Sequence, residues 1–225
     1  MNVFSLSKKS TLLQKIRSFN SPRRQRRSSS DSQTRVAVLG ASKVGKTAII
    51  RQLSRGHFTF DYQETIEDLY KESIGKDPVF EMDILDTSGN LEYSYFRSKA
   101  IRKYDIFVLV FSLTDKSSFH AIKDIRNEII AKRKKSPIIV VGNKADDGKR
   151  FNRREVLQAI VNLWGHSYME CSAKSNNDVK SVFKEVANLS EGVEKQSDRD
   201  VGGVNDGSIF IRIVCDGKIE WKRLW

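Results

Sequence analysis

The sequence predicts an α/β domain built on a mostly parallel β-sheet with helices on both faces. Two continuous runs rich in β-branched residues, Phe107–Ser112 and Pro137–Gly142, are typical of strands buried on both faces of a parallel sheet. The chain between them is amphipathic, because Phe119, Ile122 and Ile129 fall near one face of a helix. Strands that alternate with helices in this way favour a parallel sheet that is covered on both sides.

The same alternation begins earlier in the chain. Arg35–Leu39 is a short apolar run that Gly40 closes, which indicates a buried strand, and Thr47–Arg55 continues as a helix. Val79–Leu85 alternates apolar and polar residues, which is typical of a strand. These elements supply the first half of the predicted sheet.

Two further helices are predicted in the second half of the domain. Asn152 can cap the first of them, with Glu155 three residues on, and Gly165 ends it. An apolar stripe from Val179 to Val186 predicts the last helix. The alternation therefore extends through most of the chain.

Length and composition are consistent with one domain and appended segments. The chain has 225 residues, of which 39% are hydrophobic, and no run of 18 apolar residues predicts a membrane span. No secretory signal is expected at its start. The two cysteines, Cys171 and Cys215, provide neither a disulfide framework nor metal-ligand spacing, so a reducing, intracellular compartment is expected.

Positive charge is concentrated at the amino terminus. Residues 1–30 contain eight Lys or Arg and no Asp or Glu, so they account for eight of the net charge of +12 and leave +4 for the other 195 residues. The chain is therefore divided into three predicted parts. They are a disordered basic arm at 1–33, a globular domain at 34–190, and a linker with a carboxyl-terminal hairpin at 191–225.

The hairpin is predicted from alternation around a turn signal. Ile209, Ile211 and Ile213 alternate with other residues, Asp216-Gly217 is a two-residue turn signal, and the alternation resumes from Lys218. An isolated hairpin is marginal in water, so this segment is expected to pack on the domain or on a partner, and the sequence does not choose between them.

A glycine-rich segment follows the first predicted strand and opens the first predicted helix. It fits the pattern G-x-x-x-x-G-K-[ST], in which backbone N–H groups curl around phosphate oxygens. Lys46 reaches the outer phosphates, the Thr47 hydroxyl ligates Mg²⁺, and the helix that follows directs its positive end at the anion. A chance glycine-rich turn is disfavoured, because the flanking strand and helix are the context that the motif requires. The predicted phosphate-binding residues are Gly40, Ala41, Ser42, Lys43, Val44, Gly45, Lys46, Thr47 and Ala48.

A second loop, N-K-A-D, follows a predicted strand. The Asp146 carboxylate can accept from N1–H and N2–H of guanine together, and adenine lacks that donor pair. Lys144 can lay its methylene stem over the base, and Asn143 can bridge to the phosphate loop. Such a tetrapeptide alone is a weak signal, with a surface turn as the alternative, but its position after a strand and downstream of the phosphate loop strengthens it. Ser172, Ala173 and Lys174 follow another strand and supply a backbone N–H for the guanine O6.

Five motifs in order resemble the Ras-like small GTPase superfamily over roughly residues 34–190. The runs S-K-V-G-K-T-A-I and D-T-S-G-N are most similar to its Dexras/Rhes branch. The resemblance implies a P-loop NTPase fold, with a six-stranded, mostly parallel sheet, one antiparallel edge strand and helices on both faces. It also implies a signalling switch that binds GTP and GDP with Mg²⁺ and hydrolyses GTP. The motifs are the phosphate loop, Thr65–Asp68, Asp86–Gly89, Asn143–Asp146 and Ser172–Lys174.

The resemblance also implies roles for individual residues. Thr65 would reach Mg²⁺ and the γ-phosphate only in the GTP state, Asp86 would hold Mg²⁺ through water, and the Gly89 N–H would meet the γ-phosphate. The expected Mg²⁺ residues are Thr47, Thr65 and Asp86, and the expected catalytic residues are Lys46, Thr65, Gly89 and Asn90.

Effector recognition is expected around the first switch segment. Phe58 corresponds to the aromatic residue that lies against guanine, with plain core packing as the alternative, and Tyr62 corresponds to the switch tyrosine. Loss of the γ-phosphate would relax both switch segments, and that change is the signal. The resemblance implies effector contacts through Ile66, Glu67, Asp68 and Tyr70, together with an exchange factor and a GTPase-activating protein.

Two places depart from the commonest pattern of the superfamily. Asn90 stands where most members have the glutamine that orients the attacking water, and its side chain is one methylene shorter. Ser42 and Lys43 occupy loop positions that are glycine in Ras itself, where a side chain can crowd an arginine finger. Slow intrinsic hydrolysis is therefore expected, with partner-assisted hydrolysis as one alternative. The competing function is a nucleotide-locked interaction module, or pseudo-GTPase, with negligible cycling.

The basic arm allows several interpretations. Leu12, Ile16 and Phe19 share a helical face before the basic run Arg23–Arg27, which is typical of a segment that binds an anionic membrane. A mitochondrial transit peptide, a nuclear localisation signal and a solvated tail remain alternatives. Nucleic-acid binding is disfavoured, because the globular part lacks an aromatic platform and a basic stripe.

No lipid anchor is expected from the sequence as given. It ends in Lys222-Arg-Leu-Trp225 without a C-a-a-X box, and residue 2 is Asn2, which excludes N-myristoylation. The expected location is cytoplasmic, with peripheral membrane or nuclear localisation as alternatives.

Overall fold

The computed structural model describes most of the globular chain. Residues 1–32 of the basic arm, the Asp216-Gly217 turn and most of the predicted linker lie outside the described residues. The described residues are 33–76, 79–90, 94–148, 150–197, 209–215 and 218–224.

Strands and helices alternate along the described chain. The strands are β1 (Thr34–Leu39), β2 (Glu67–Ile74), β3 (Phe80–Thr87), β4 (Ile106–Ser112), β5 (Ile138–Asn143), β6 (Ser167–Cys171), β7 (Ile209–Cys215) and β8 (Lys218–Leu224). The helices are α1 (Lys46–Arg55), α2 (Ser94–Lys103), α3 (Lys116–Lys132), α4 (Arg153–Leu157), which continues as a π-helical segment (Gln158–Trp164), and α5 (Asn176–Ser197).

The predicted six-stranded sheet is confirmed over β1 to β6. The strand order is β2-β3-β1-β4-β5-β6, and the pairs β1–β3, β1–β4, β4–β5 and β5–β6 are parallel. Strand β2 pairs antiparallel with β3, so it is the single antiparallel strand at that edge. The carboxyl ends of β1, β4 and β5 therefore meet along one side of the sheet, where ligands bind in open α/β folds.

The hairpin extends this sheet to eight strands. Strand β7 pairs in parallel with β6, with Tyr168 opposite Ile213 and Met169 opposite Val214, and β8 pairs antiparallel with β7. Val214 is partly buried against the core cluster that contains Met169. Of the two docking possibilities that the sequence left open, the structure shows packing on the domain.

The core consists of two clusters, one on each face of the sheet. Successive residues of a strand point to opposite faces. Accordingly, Val36 and Val38 belong to one cluster, and Ala37 and Leu39 belong to the other. Strand β4 is buried along its whole length, as its continuous apolar sequence predicts.

The capping residues predicted from the sequence lie at the observed helix ends. The Asn152 side chain accepts hydrogen bonds from the backbone N–H groups of Arg154 and Glu155 at the start of α4. Gly165 ends the π-helical segment in the left-handed conformation, with φ 66°. Among the described residues, no helix combines the length and apolarity that crossing a membrane requires.

Candidate functional site

A cavity of about 610 Å³ lies where the loops after β1, β3, β5 and β6 converge. It brings together the predicted phosphate-binding and base-binding loops, which are more than 90 residues apart in sequence. The predicted site residues that line it are Ser42, Lys43, Gly45, Lys46, Thr47, Ala48, Phe58, Thr65, Gly89, Asn143, Lys144, Asp146, Ala173 and Lys174.

Glycine is required twice in the loop between β1 and α1. Gly40 has φ 152°, and a Cβ there would overlap the carbonyl oxygen of Val110 on the neighbouring strand. Gly45 has φ 98°, and a Cβ there would overlap the Asn143 side chain. The glycines therefore let the loop curl tightly against β4 and β5 at the amino end of α1.

Lys46 is held beneath this loop. Its side chain is 6% exposed, and Nζ donates to the carbonyl oxygens of Gly40 at 3.0 Å and Ala41 at 2.9 Å. Burial lowers the pKa of Lys46 to about 8, and the nearby Asp86 carboxylate acts in the opposite direction. An anion entering the cavity would raise this pKa again and offer the ammonium a stronger partner.

The three predicted Mg²⁺ residues lie in direct contact. The Thr47 hydroxyl donates to Oδ2 of Asp86 at 2.6 Å, and the hydroxyl oxygens of Thr47 and Thr65 are 2.9 Å apart. Asp86 is fully buried, and its Oδ1 has no hydrogen-bond partner among the described residues. Burial raises the pKa of Asp86 to about 6, while Thr47 and Lys46 lower it.

This set of oxygens fits a magnesium ion. Mg²⁺ takes hard oxygen ligands and usually combines one or two protein ligands with waters and phosphate oxygens. Two hydroxyls and a buried carboxylate with an unpartnered oxygen supply that chemistry. A divalent cation would also offset the burial of the Asp86 charge.

Asn143 joins the two loops of the site. Its Nδ2 donates to the carbonyl oxygen of Val44 at 2.8 Å, and its Oδ1 accepts from the backbone N–H of Ala173 at 3.1 Å. The side chain is 1% exposed. The bridge to the phosphate loop that the sequence suggested is thus observed, and the bond to Ala173 was not anticipated.

The Asp146 carboxylate stands at the base end of the cavity. Oδ1 accepts from the Ser172 hydroxyl at 2.7 Å, and Oδ2 pairs with Nζ of Lys174 at 2.7 Å. Burial raises the pKa of Asp146, but the hydrogen bonds from Lys174 and Ser172 outweigh it, and the net shift is downward. The group is therefore a carboxylate at neutral pH, which is the acceptor that the guanine edge requires.

Aromatic rings form the outer wall of the cavity. Phe58 and Phe60 make an edge-to-face pair with centroids 5.0 Å apart. Nζ of Lys174 lies 5.8 Å from the centroid of Phe58 and 5.4 Å from that of Phe60. Phe58 is only partly buried, although it also contacts one of the core clusters.

The loop after β3 packs on the phosphate loop. A Cβ on Gly89 would overlap backbone atoms of Ala41 and Ser42, so only glycine allows this approach. Asn90 does not line the 610 Å³ cavity; it lines a neighbouring one of about 470 Å³, together with Gly40, Ala41, Arg97 and Asp115. Gly89 and Ser42 line both cavities.

The remaining predicted residues lie around these cavities. Val44, Asp86 and Ser172 are buried behind the wall of the first cavity. The predicted effector residues lie at the start of the edge strand β2 and just before it. Asp68 is exposed, and Ile66, Glu67 and Tyr70 are partly buried.

The sequence patterns did not identify three residues that support the site. Thr87 donates from its hydroxyl to the carbonyl of Val38 at 2.8 Å and joins β3 to β1 beside the site. Asp178 accepts from the backbone N–H of Ser172 at 3.0 Å and fixes the loop after β6. Arg51 lines the cavity from α1. For Asp178, the available signal was an acidic residue in the first turn of a predicted helix.

Comparison with known proteins gives a consistent result. The Ras family model matches residues 35–191. The chain is 39% identical to Ras-like protein rasZ of Dictyostelium discoideum, over 67% of this chain and 72% of that protein. It is 34% identical to Protein ras-1 of Neurospora crassa, over 83% and 91%, and 36% identical to GTP-binding protein rhb1 of Schizosaccharomyces pombe, over 78% and 96%.

Proposed function

The chain belongs to the Ras family of small GTPases, and on that premise we propose that it is a slow switch that holds a guanine nucleotide in the 610 Å³ cavity. The main support for this proposal is that all the predicted nucleotide-binding loops converge on this one cavity. The assignment to the Dexras/Rhes branch stays a prediction.

Phosphate binding is assigned to the loop from Gly40 to Thr47. Its glycines allow backbone N–H groups to face the anion, and the amino end of α1 adds a favourable partial charge. Lys46 would exchange its bonds to two loop carbonyls for bonds to phosphate oxygens. The low exposure of Lys46 makes that exchange favourable, because a buried ammonium gains most from an anionic partner.

Base recognition is assigned to Asp146. When guanine enters, the carboxylate would accept from N1–H and N2–H, in place of part of its pairing with Ser172 and Lys174. Asn143 keeps the base loop and the phosphate loop at a fixed separation. The two loops would therefore bind the base and the phosphates of one nucleotide at the same time.

Mg²⁺ would be held by Thr47, Thr65 and Asp86. When bound, the ion would neutralise charge on the phosphate oxygens during hydrolysis. Thr65 belongs to a segment without regular secondary structure, and its contact with Thr47 links that segment to the phosphate loop. Loss of the outer phosphate would weaken this link and release the segment, which is the signalling step.

Slow hydrolysis is assigned to Asn90. Its short side chain and its position beside the second cavity both support poor orientation of the attacking water. The same observation favours the alternative of a nucleotide-locked module whose cycling is negligible. The two differ only in rate, so a hydrolysis time course separates them.

Partners are proposed at two places. Effector proteins would contact a group of residues near the edge of the sheet, namely Ile66, Glu67, Asp68 and Tyr70. An exchange factor and a GTPase-activating protein would act on the switch segments. Residues 1–30 would contact anionic membranes from the cytoplasm through their eight basic residues, and nuclear localisation is the alternative.

One experiment tests the core of this proposal. The full chain is purified, its bound nucleotide is released and identified, and single-turnover hydrolysis of GTP is followed with Mg²⁺. Guanine nucleotide with a slow but measurable rate is expected. Absence of any guanine nucleotide affinity would refute the assignment, and binding without turnover would establish the locked module.

A further inference from the structure

Residues 57–65, here called the aromatic segment, extend along the cavity without helix or strand structure. All nine of these residues line the cavity. Phe60 is 84% exposed and Tyr62 is 56% exposed, so packing against the core does not fix the middle of the segment. Its position therefore depends on a few contacts with the loops on either side.

Two lysines from different loops make such contacts. Lys174, from the loop after β6, lies near the rings of Phe58 and Phe60 at the base end. Lys43, from the phosphate loop, places its Nζ 5.8 Å from the centroid of the Tyr62 ring. A cation within about 6 Å of an aromatic centroid is attracted to the ring face.

Lys43 stands in an unusual conformation. Its φ is 63°, in the left-handed region where a long side chain is strained and glycine is not. Strained residues persist where the surrounding structure over-determines them, and they are concentrated at ligand clamps and switch regions. In that conformation, the Lys43 ammonium reaches the aromatic segment.

We propose that Lys43 is a positioning residue that holds Tyr62, and with it the aromatic segment, over the phosphate end of the cavity, and so slows nucleotide release. The inference rests on the proposed function, because it requires a guanine nucleotide in the cavity. Release requires the segment to move away, and the Lys43–Tyr62 contact breaks in that step. A contact of this kind at an exposed site corresponds to roughly a two- to fivefold change in rate.

The test measures release of a fluorescent GDP analogue from the full chain after addition of excess GDP. Lys43→Ala and Tyr62→Leu are each expected to speed release by roughly two- to fivefold. Lys43→Arg and Tyr62→Phe keep a cation and a ring, so they are expected to release at close to the unmodified rate. Lys135→Ala is the matched control, because Lys135 is an exposed lysine that lines neither cavity.

A double variant separates a direct contact from two independent effects. If Lys43 and Tyr62 act on each other, Lys43→Ala with Tyr62→Leu releases no faster than the faster single variant. Multiplication of the two single effects would overturn the proposal. Unchanged release in both single variants would also overturn it.

A glycine variant separates the contact from backbone strain. Lys43→Gly relieves the strain and loses the ammonium, so it is expected to melt at a higher temperature than Lys43→Ala and to release nucleotide equally fast. Release of nucleotide from Lys43→Gly at the unmodified rate would overturn the proposal, because the ammonium would then have no effect on release. Failure of the unmodified chain to bind the analogue would refute the proposed function, and with it this inference, which requires a guanine nucleotide in the cavity.

Discussion

Asn143 donates a hydrogen bond to the carbonyl oxygen of Val44 across 99 residues of sequence, at 2.8 Å. The same side chain accepts from the backbone N–H of Ala173. A single buried amide thus fixes the distance between the loop that would bind the phosphates and the loops that would bind the base.

Replacement of Asn143 tests this relationship. Asn143→Ala leaves a buried carbonyl and a buried N–H unpaired, at a cost of about 1–3 kcal/mol each, so the free energy of unfolding is expected to fall by roughly 2–6 kcal/mol. Nucleotide release should also accelerate. Urea unfolding and release kinetics measure both effects. Asn152→Ala, which removes an exposed helix cap, is the control: it should cost about 1 kcal/mol and leave release unchanged.

The second prediction concerns Thr47. Thr47→Ala removes the hydroxyl that contacts both Asp86 and Thr65, so Mg²⁺ should stabilise the nucleotide complex much less. The domain should remain folded at high nucleotide concentration, because this side chain serves the ligand and not the core. A Mg²⁺ titration followed by thermal unfolding measures the effect, and Thr47→Ser, which keeps the hydroxyl, is the control. Normal Mg²⁺ dependence in Thr47→Ala would show that Thr47 is not part of the metal site.

The third prediction concerns base selectivity. Asp146→Ala removes two hydrogen bonds to a charged acceptor, worth about 1.5–3 kcal/mol each, so GDP binding should weaken by roughly 3 kcal/mol or more. Asp146→Asn should shift the preference toward xanthine nucleotides, because xanthine has an acceptor where guanine has the amine. Competition between GDP and XDP measures the shift. Equal GDP affinity in Asp146→Ala would contradict the assignment of this loop.

The fourth prediction concerns Asn90. Its amide is one carbon–carbon bond, roughly 1.5 Å, short of the reach of glutamine, and a 1 Å misplacement can cost on the order of 10²-fold in rate. Asn90→Gln should raise the single-turnover rate without changing GTP affinity, and Ser42 and Lys43 would limit the gain. Asn90→Ala should change little. A brisk native rate that Asn90→Ala abolishes would make Asn90 a working catalytic residue and the slow-switch proposal wrong.

The fifth prediction concerns stability at low pH and involves His166, which lies outside the cavity. Burial and the Arg126 guanidinium, whose Nε donates to His166 at 3.1 Å, lower the pKa of His166 to about 4. An unfolded histidine binds its proton near pH 6.5, so between about pH 6.5 and 4 the unfolded state binds more protons. This contribution to stability is present at neutral pH and is lost as the pH falls through that window.

The expected loss is on the order of 2–3 kcal/mol between pH 7 and pH 4. His166→Gln offers Arg126 an acceptor that does not titrate, so its stability should depend less steeply on pH in this window. Urea unfolding at several pH values measures the slope, and substitution of the exposed His120 by glutamine is the matched control. Identical slopes for the native chain and His166→Gln would exclude His166 as the source.

Much of the fold was predictable because its signals are local. Continuous apolar runs gave β4 and β5, and alternation gave β3. Capping residues gave the start of α4 and the end of the π-helical segment that continues it. Helix α2 was not predicted, since it buries only Ala100 and Ile101 and its amphipathic pattern is weak. The π-helical segment was also missed, because five-residue hydrogen-bond spacing leaves no clear mark on a short apolar pattern.

The loops of the candidate site were predictable from the sequence, but most of the contacts between them were not. Motif spacing identified the loops, but it did not show which side chains meet across them. The bond from Asn143 to Ala173, the pairing of Lys174 with Asp146 and the contact of Lys43 with Tyr62 all depend on backbone placement over long sequence separations. The position of Asn90 beside a second cavity likewise depends on how closely Gly89 packs on the phosphate loop.

The carboxyl-terminal hairpin places the two edge strands of the sheet far apart. Strands β2 and β8 are at opposite ends of eight strands, and seven spacings of about 4.8 Å place them roughly 34 Å apart. Strand β8 also ends at Leu224 beside Ile209, at the amino ends of the parallel strands and away from the proposed nucleotide cavity. A protein bound along β8 would leave β2 accessible, so the sheet has room for one partner at each of its two edges.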